Sequence, residues 1–220
     1  MNTDIEFIDN KVSKTLVSFT GIKHGFAGKD GWRQEFRALL KQSKFNVMFV
    51  SDREVSWYNT IDVDRIKSKL TNQEVITVGN SMGAHNAIQF ANDINVTKVI
   101  AFAPQYSVHP DIVPDETRWK SEIEKIKQWK YKHLMFNDTT EYYIFSGNDK
   151  MEMYHTDMIP NQQNIHKFFI ESDHAVAPKL KNKGILYPLI TDCIEETHEI
   201  VAEKYAKDIE YLDTNLETEK

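Results

Sequence analysis

The chain has 220 residues, 40% of them hydrophobic and 27% charged, with a formal net charge of -6. That length and balance suit one soluble globular domain with its own core, and the acidic surplus excludes a nucleic-acid binder, which needs clustered Lys and Arg against phosphates. The single cysteine, Cys193, excludes an intramolecular disulfide and fits a reducing compartment, where it reads as a small core residue.

The N-terminus, MNTDIEFIDNK, lacks the basic and apolar regions of a signal peptide. No apolar run approaches the roughly 20 residues that span a bilayer. The expectation is a cytoplasmic protein with no membrane insertion.

In chain order, strands are predicted at 6–8, 15–19, 46–50, 74–78, 98–102, 141–145 and 167–170. The runs TLVSF, NVMFV, VITV and KVIAF are nearly continuous in apolar residues, as strands buried on both faces of a parallel sheet are. Helical spacing fills the intervals. Trp32, Phe36, Leu39 and Leu40 mark a helix at 32–42, and Val63, Ile66 and Leu70 a short one at 62–70. A helix at 81–91 follows its strand directly. A long charged helix at 117–133 carries Trp119, Ile123, Ile126 and Trp129 or Lys130 on one stripe, and a helix at 185–205 closes the domain. Such alternation predicts a doubly wound, mostly parallel α/β sheet of about seven strands with right-handed crossovers. Residues 1–210 form one domain, and 211–220 are expected to be a flexible acidic tail. One interval breaks the rhythm. The proline-punctuated APQYSVHPDIVPDETRW and the charged helix read as a small excursion over 104–135, a reduced lid.

The strand EVITV runs straight into Gly79-Asn80-Ser81-Met82-Gly83, and the helix AHNAIQFA follows. This is a G-x-S-x-G nucleophile elbow in strand–turn–helix context. A tight, strained turn points the serine hydroxyl away from the sheet, and the flanking glycines let strand and helix approach. The helix N-terminus places the Met82 N–H near a developing oxyanion. The alternative for Ser81 is a simple helix cap.

A serine hydroxyl needs a histidine base, and that base an orienting carboxylate, in the chain order Ser, acid, His. YYIFSGNDK places Asp149 just past a strand, and KFFIESDH places His174 just past the next. Both fall at carboxyl ends of parallel strands, where sites gather in such sheets. Asp173 adjoins His174 and points away from it on an extended segment. His155 and Asp157 read as a solvated helix face. The second oxyanion donor belongs to the loop after TLVSF, with Ile22 N–H the first choice and Gly21 the next. Gly21, Trp57 and Tyr58 are candidate pocket residues, the aromatic pair on its rim. Arg118 and Trp119 have two readings: groups reaching into the site, Arg118 to pair with a substrate carboxylate, or a surface arginine and a packed aromatic. The glycine-rich KHGFAGKDG lacks both P-loop and dinucleotide spacing, and no metal-ligand pattern appears. No cofactor or metal is expected.

With elbow, late acid and final histidine in place, residues 5 to 205 resemble the α/β-hydrolase superfamily. That resemblance implies Ser81 as nucleophile, His174 as general base and acid, and Asp149 as its orienter. The stretch DHAVAPKLKNKGIL resembles the histidine loop and last helix of these enzymes. The pieces FTG, SDREVSWYN, GNSMGAHNA, FAPQYS and DETRW resemble small bacterial hydrolases of polysaccharide and capsule biosynthesis loci, which implies a sugar ester or related acyl ester as substrate. Three features depart from the pattern: His85 where many relatives have a small residue, one strand instead of two before the oxyanion strand, and a minimal cap.

The expected function is hydrolysis of a carboxylic ester, with a small-molecule acyl ester as partner, through a Ser-His-Asp triad and an acyl-enzyme. Amide or peptide hydrolysis, acyl transfer with the same triad, and a non-catalytic binding protein on a hydrolase scaffold stay open as alternatives.

Overall fold

The computed structural model describes residues 2–22, 34–41, 44–70 and 74–212. Trp32, the segment KHGFAGKDG and the tail beyond 212 lie outside them. Among the described residues, eight strands form one sheet: β1 (Thr3–Ile8), β2 (Lys14–Phe19), β3 (Asn46–Asp52), β4 (Glu74–Asn80), β5 (Lys98–Phe102), β6 (Glu141–Gly147), β7 (Ile165–Ile170) and β8 (Glu210–Leu212). Their spatial order is β1-β3-β2-β4-β5-β6-β7-β8. The six inner strands are mutually parallel. The edge strands β1 and β8 are antiparallel to their neighbours.

Seven α-helices are described: α1 (Val63–Lys67), α2 (Met82–Phe90), α3 (Lys120–Ile123), α4 (Lys150–Asp157), α5 (Val176–Asn182), α6 (Leu186–Glu195) and α7 (His198–Tyr205). A 3-10 helix covers Arg37–Lys41. The apolar strands divide by the two-residue alternation of a pleated backbone. Leu16, Phe49, Val78, Phe102, Phe145 and Phe168 face a core completed by α5, α6 and α7. Val17, Met48, Val50, Ala101 and Ile144 face the opposite core, completed by α1 and α2. This two-sided burial is why the strands read as continuous apolar runs.

Three expectations are corrected. The helix at 117–133 is only the single turn α3. Tertiary hydrogen bonds hold the backbone at the far end of this stretch: Tyr131 N–H donates to Asn59 Oδ1 at 2.9 Å, Gln89 Nε2 to His133 O at 2.9 Å, and, just beyond it, Leu134 N–H to Tyr106 O at 2.8 Å. Its apolar stripe converges on a small cluster around Trp57, Met82, Val108 and Trp119, which a loop reaches as well as a helix does. The helix at 185–205 is two helices, α6 and α7. The mostly parallel α/β sheet expected with about seven strands is present with eight, and Tyr211 and Leu212 of the expected tail belong to β8. Three residues are too few to carry a readable alternation. Tyr211 pairs with Phe168 across the edge, their rings 5.0 Å apart.

Candidate active site

Ser81 sits between β4 and α2 with φ 58° and ψ -127°, a conformation that a non-glycine residue holds only when its surroundings enforce it. Here they do. A Cβ on Gly79 would lie 2.1 Å from the Gly83 carbonyl oxygen, and one on Gly83 would lie 2.2 Å from the Phe19 oxygen. Any side chain at either position would push strand and helix apart. The Ser81 N–H donates to Phe102 O at 2.8 Å, and its carbonyl accepts from Ala84 and His85. Met82 opens α2, so its N–H has no carbonyl acceptor within the helix.

His174 lies between β7 and α5. Its Nε2 is 2.8 Å from Ser81 Oγ, and its Nδ1 is 2.9 Å from Glu152 Oε1. The expected carboxylate, Asp149, is not the one at His174. Asp149 is the N-cap of α4, its Oδ1 accepting from the N–H groups of Met151 and Glu152. The carboxylate one helical turn later, on a longer side chain, reaches the imidazole instead. The run Asp149-Lys150-Met151-Glu152 has the D-x-x-E spacing of a helix start, the one local sign that Asp149 is occupied as a cap. Asp173 is also turned to backbone, accepting from Ala175 N–H at 2.9 Å.

Glu152 is 2% exposed and shares Oε1 with Arg118 Nη1 at 2.7 Å. Arg118 Nε and Nη2 grip the buried carboxylate of Glu116. Glu116 Oε2 in turn lies 3.0 Å from His155 Nε2. Of the two readings of Arg118, the surface arginine holds: the residue is exposed, and its guanidinium pairs with two buried glutamates, Glu116 and Glu152. His155 is fully buried, which corrects the solvated face expected of it. Burial alone would raise Glu152, yet its bonds to His174 and Arg118 hold it below the usual carboxylate range. Glu116 is likewise held down, against its burial, to about 2 by His155 and Arg118.

Gln105, which sequence reasoning missed, is fully buried beside Ser81. Ala103, in the left-handed region at φ 47°, turns the chain after β5, and Gln105 Nε2 comes 3.1 Å from Ser81 Oγ. Trp57 is buried, not on a rim, and its indole N–H donates to Gln105 Oε1 at 3.3 Å. Tyr58 is no pocket residue. It points into the α1–α2 core and donates its hydroxyl to Asp93 at 2.7 Å. Gly21 N–H donates to Glu35 Oε2 at 3.3 Å, while Ile22 packs on the Trp57–Met82–Val108–Trp119 cluster. Trp119 is a packed aromatic whose ring lies 5.6 Å from that of His174. His85 is buried, with Nδ1 2.9 Å from Gln105 O, and desolvation pushes it down to about 4. Among the described residues, no group of three or more His, Cys, Asp or Glu is arranged to hold a metal.

Solved structures share this fold. The Glycosylation Associate Protein (Gap123) complex from Streptococcus agalactiae matches with a TM-score of 0.62 at 15% identity, over 84% of this chain and 43% of that one, so this chain spans less than half of its length. The capsule O-acetyltransferase of Neisseria meningitidis serogroup A matches with a TM-score of 0.61 at 15% identity, over 84% and 92% of the two chains. The Pyrococcus furiosus esterase Pf2001 matches with a TM-score of 0.54 at 12% identity, over 86% and 84%. The chain has an α/β-hydrolase fold. No family model matches it, and no curated protein matches it in sequence. In this α/β-hydrolase fold, Ser81, Gln105, Glu152 and His174 follow β4, β5, β6 and β7 in turn, at the carboxyl ends of the parallel strands. No described helix is long and apolar enough to cross a membrane.

Proposed function

We propose that the protein is a serine hydrolase that cleaves a carboxylic ester through an acyl-enzyme on Ser81. The observation that carries this reading is the chain of contacts Ser81 Oγ–His174 Nε2 at 2.8 Å and His174 Nδ1–Glu152 Oε1 at 2.9 Å. Glu152 holds Nδ1 protonated, which leaves Nε2 as the base. As Oγ attacks the ester carbon, its proton passes to Nε2, and the carbonyl electron pair moves onto oxygen. The Met82 and Ile22 amides are the donors for that oxyanion. The intermediate collapses when the bond to the leaving oxygen breaks and Nε2–H protonates it. Water then repeats the sequence and frees Ser81.

The substrate is a short acyl ester on a small polar molecule, with an acylated sugar the preferred class. Support comes from the cluster of Trp57, Met82, Val108 and Trp119, which fills space next to Ser81 and His174 with side chains. The likeness to the capsule O-acetyltransferase favours a second reading, in which a sugar hydroxyl replaces water as acceptor. A cytoplasmic setting belongs to the proposal and suits the buried Cys193 thiol, which burial pushes up and keeps unreactive.

A fluorophosphonate probe tests the nucleophile. Wild type becomes labelled and hydrolyses p-nitrophenyl acetate, and Ser81→Ala loses both, with turnover down by about 10^4-fold or more. Equal labelling of the two proteins would overturn the proposal. Added sugar alcohols that divert the acetyl group from water would move the reading to acyl transfer.

A further inference from the structure

A buried primary amide is expensive to desolvate unless its groups are bonded, and a Met or Leu would fill the same space without that penalty. Gln105 is 0% exposed, so what its amide touches is informative. The Nε2 contacts are to reacting groups of the proposed mechanism: Ser81 Oγ at 3.1 Å and His174 Nε2 at 3.4 Å. The orientation of the amide is settled by its neighbour. The Trp57 indole N–H can only donate, so the atom facing it at 3.3 Å is Oε1, and Nε2 is the atom turned to Ser81. The backbone of Gln105 is held as well. Its carbonyl lies 2.9 Å from His85 Nδ1, and the chain turns at Ala103, with φ 47°, just before it. His85, the departure from a small residue early in α2, thus has a physical purpose.

We propose that Gln105 is a catalytic residue that supplies a fixed N–H donor to the reacting oxygen in both half-reactions, with Trp57 as its positioning residue. This rests on the serine-hydrolase reading above. In acylation, Oγ gives its proton to His174 Nε2 while developing negative charge, and the Gln105 N–H stabilises that charge. In the acyl-enzyme, Oγ is an ester oxygen and a poor acceptor. The donor is then released to the incoming water or alcohol, which must sit beside His174 Nε2 to lose its proton there. Gln105 Nε2, 3.4 Å from that nitrogen, lies within reach of the same oxygen. The amide transfers no proton and forms no bond. It orients the attacking oxygen and meets the charge on it, in a site dry enough for one hydrogen bond to count.

The test compares wild type, Gln105→Met, Gln105→Glu, Trp57→Phe and the double variant Trp57→Phe/Gln105→Met. Each is assayed by the rate of fluorophosphonate labelling and by burst and steady-state hydrolysis of p-nitrophenyl acetate. Gln105→Met is expected to slow labelling, burst and steady-state rates by about 10^2-fold, as the loss of one preorganised donor does. Gln105→Glu keeps the acceptor for Trp57 and loses the donor, so it is slowed at least as much. It decides the question where the Met variant does not fold. Trp57→Phe is slowed about tenfold, and in the double variant it adds nothing to the loss from Gln105→Met, which a purely structural Trp57 would not produce. If wild type labels and either folded Gln105 variant labels and turns over at the wild-type rate, the inference about Gln105 is overturned. If wild type itself does not label, the serine-hydrolase reading has failed, and the inference fails with it.

Discussion

The two halves of the site are built on different physics. The elbow half, Gly79 to Gly83, is a steric device. Backbone passes so close to backbone that a Cβ at Gly79 would lie 2.1 Å from a carbonyl oxygen, and the strained Ser81 has nowhere else to go. The acid half is electrostatic. Glu152, Arg118, Glu116 and His155 form one chain of ion-pair and hydrogen-bond contacts that ties α4 to the excursion after β5. Contiguous residues make the first half. The second joins Glu116 to His155 across 39 positions and Glu152 to His174 across 22. A steric device leaves its signature in residue types, whereas a charge network depends on which side chain arrives.

Substitutions can break this contrast, and the largest effect belongs to the acid half. Glu152→Gln is expected to lower turnover of p-nitrophenyl acetate by about 10^4-fold with the fold retained, because an amide no longer selects the imidazole tautomer that leaves Nε2 as base. In the elbow half, Gly79→Ala acts on stability first, lowering the unfolding free energy by about 3 kcal/mol in a urea titration as strand and helix are forced apart. Arg118→Met leaves Glu116 and Glu152 buried without their shared cation and is expected to destabilise by about 2 kcal/mol. The pH dependence sharpens this case. Glu116, at about 2, and Glu152 are held below the usual 4.5 in the folded state. Their contribution is full above about pH 4.5 and is lost as pH falls toward 2. In Arg118→Met the folded-state values of both glutamates move back up toward 4.5, so less stability is lost on acidification and the gap to wild type narrows as pH falls, which thermal melts between pH 6 and 3 would register. The smallest effect is at Asp149. Asp149→Ala removes a helix cap, costing about 1 kcal/mol, and leaves turnover within about threefold of wild type. Turnover abolished by Asp149→Ala and spared by Glu152→Gln would reverse the assignment of the acid.

The difference between the halves is also the limit of what residue order alone determined. The strands were legible because burial on both faces leaves continuous apolar runs, and the elbow because its glycines answer a local clash. His174 was legible because chain order and strand ends confine a histidine to one loop. Asp149 and Glu152 lie three residues apart at the start of one helix, and either could be written as the acid. Only tertiary packing decides that the shorter side chain caps the helix while the longer reaches the imidazole. Gln105 and Trp57 carry no local pattern at all. Their meaning comes from the positive-φ turn at Ala103, from an indole that can only donate, and from Ser81, which sequence separates from Gln105 by 24 positions and folding brings within 3.1 Å. Local sterics are written into residue type, but the direction of a hydrogen bond between distant segments is set only when the whole sheet closes around it.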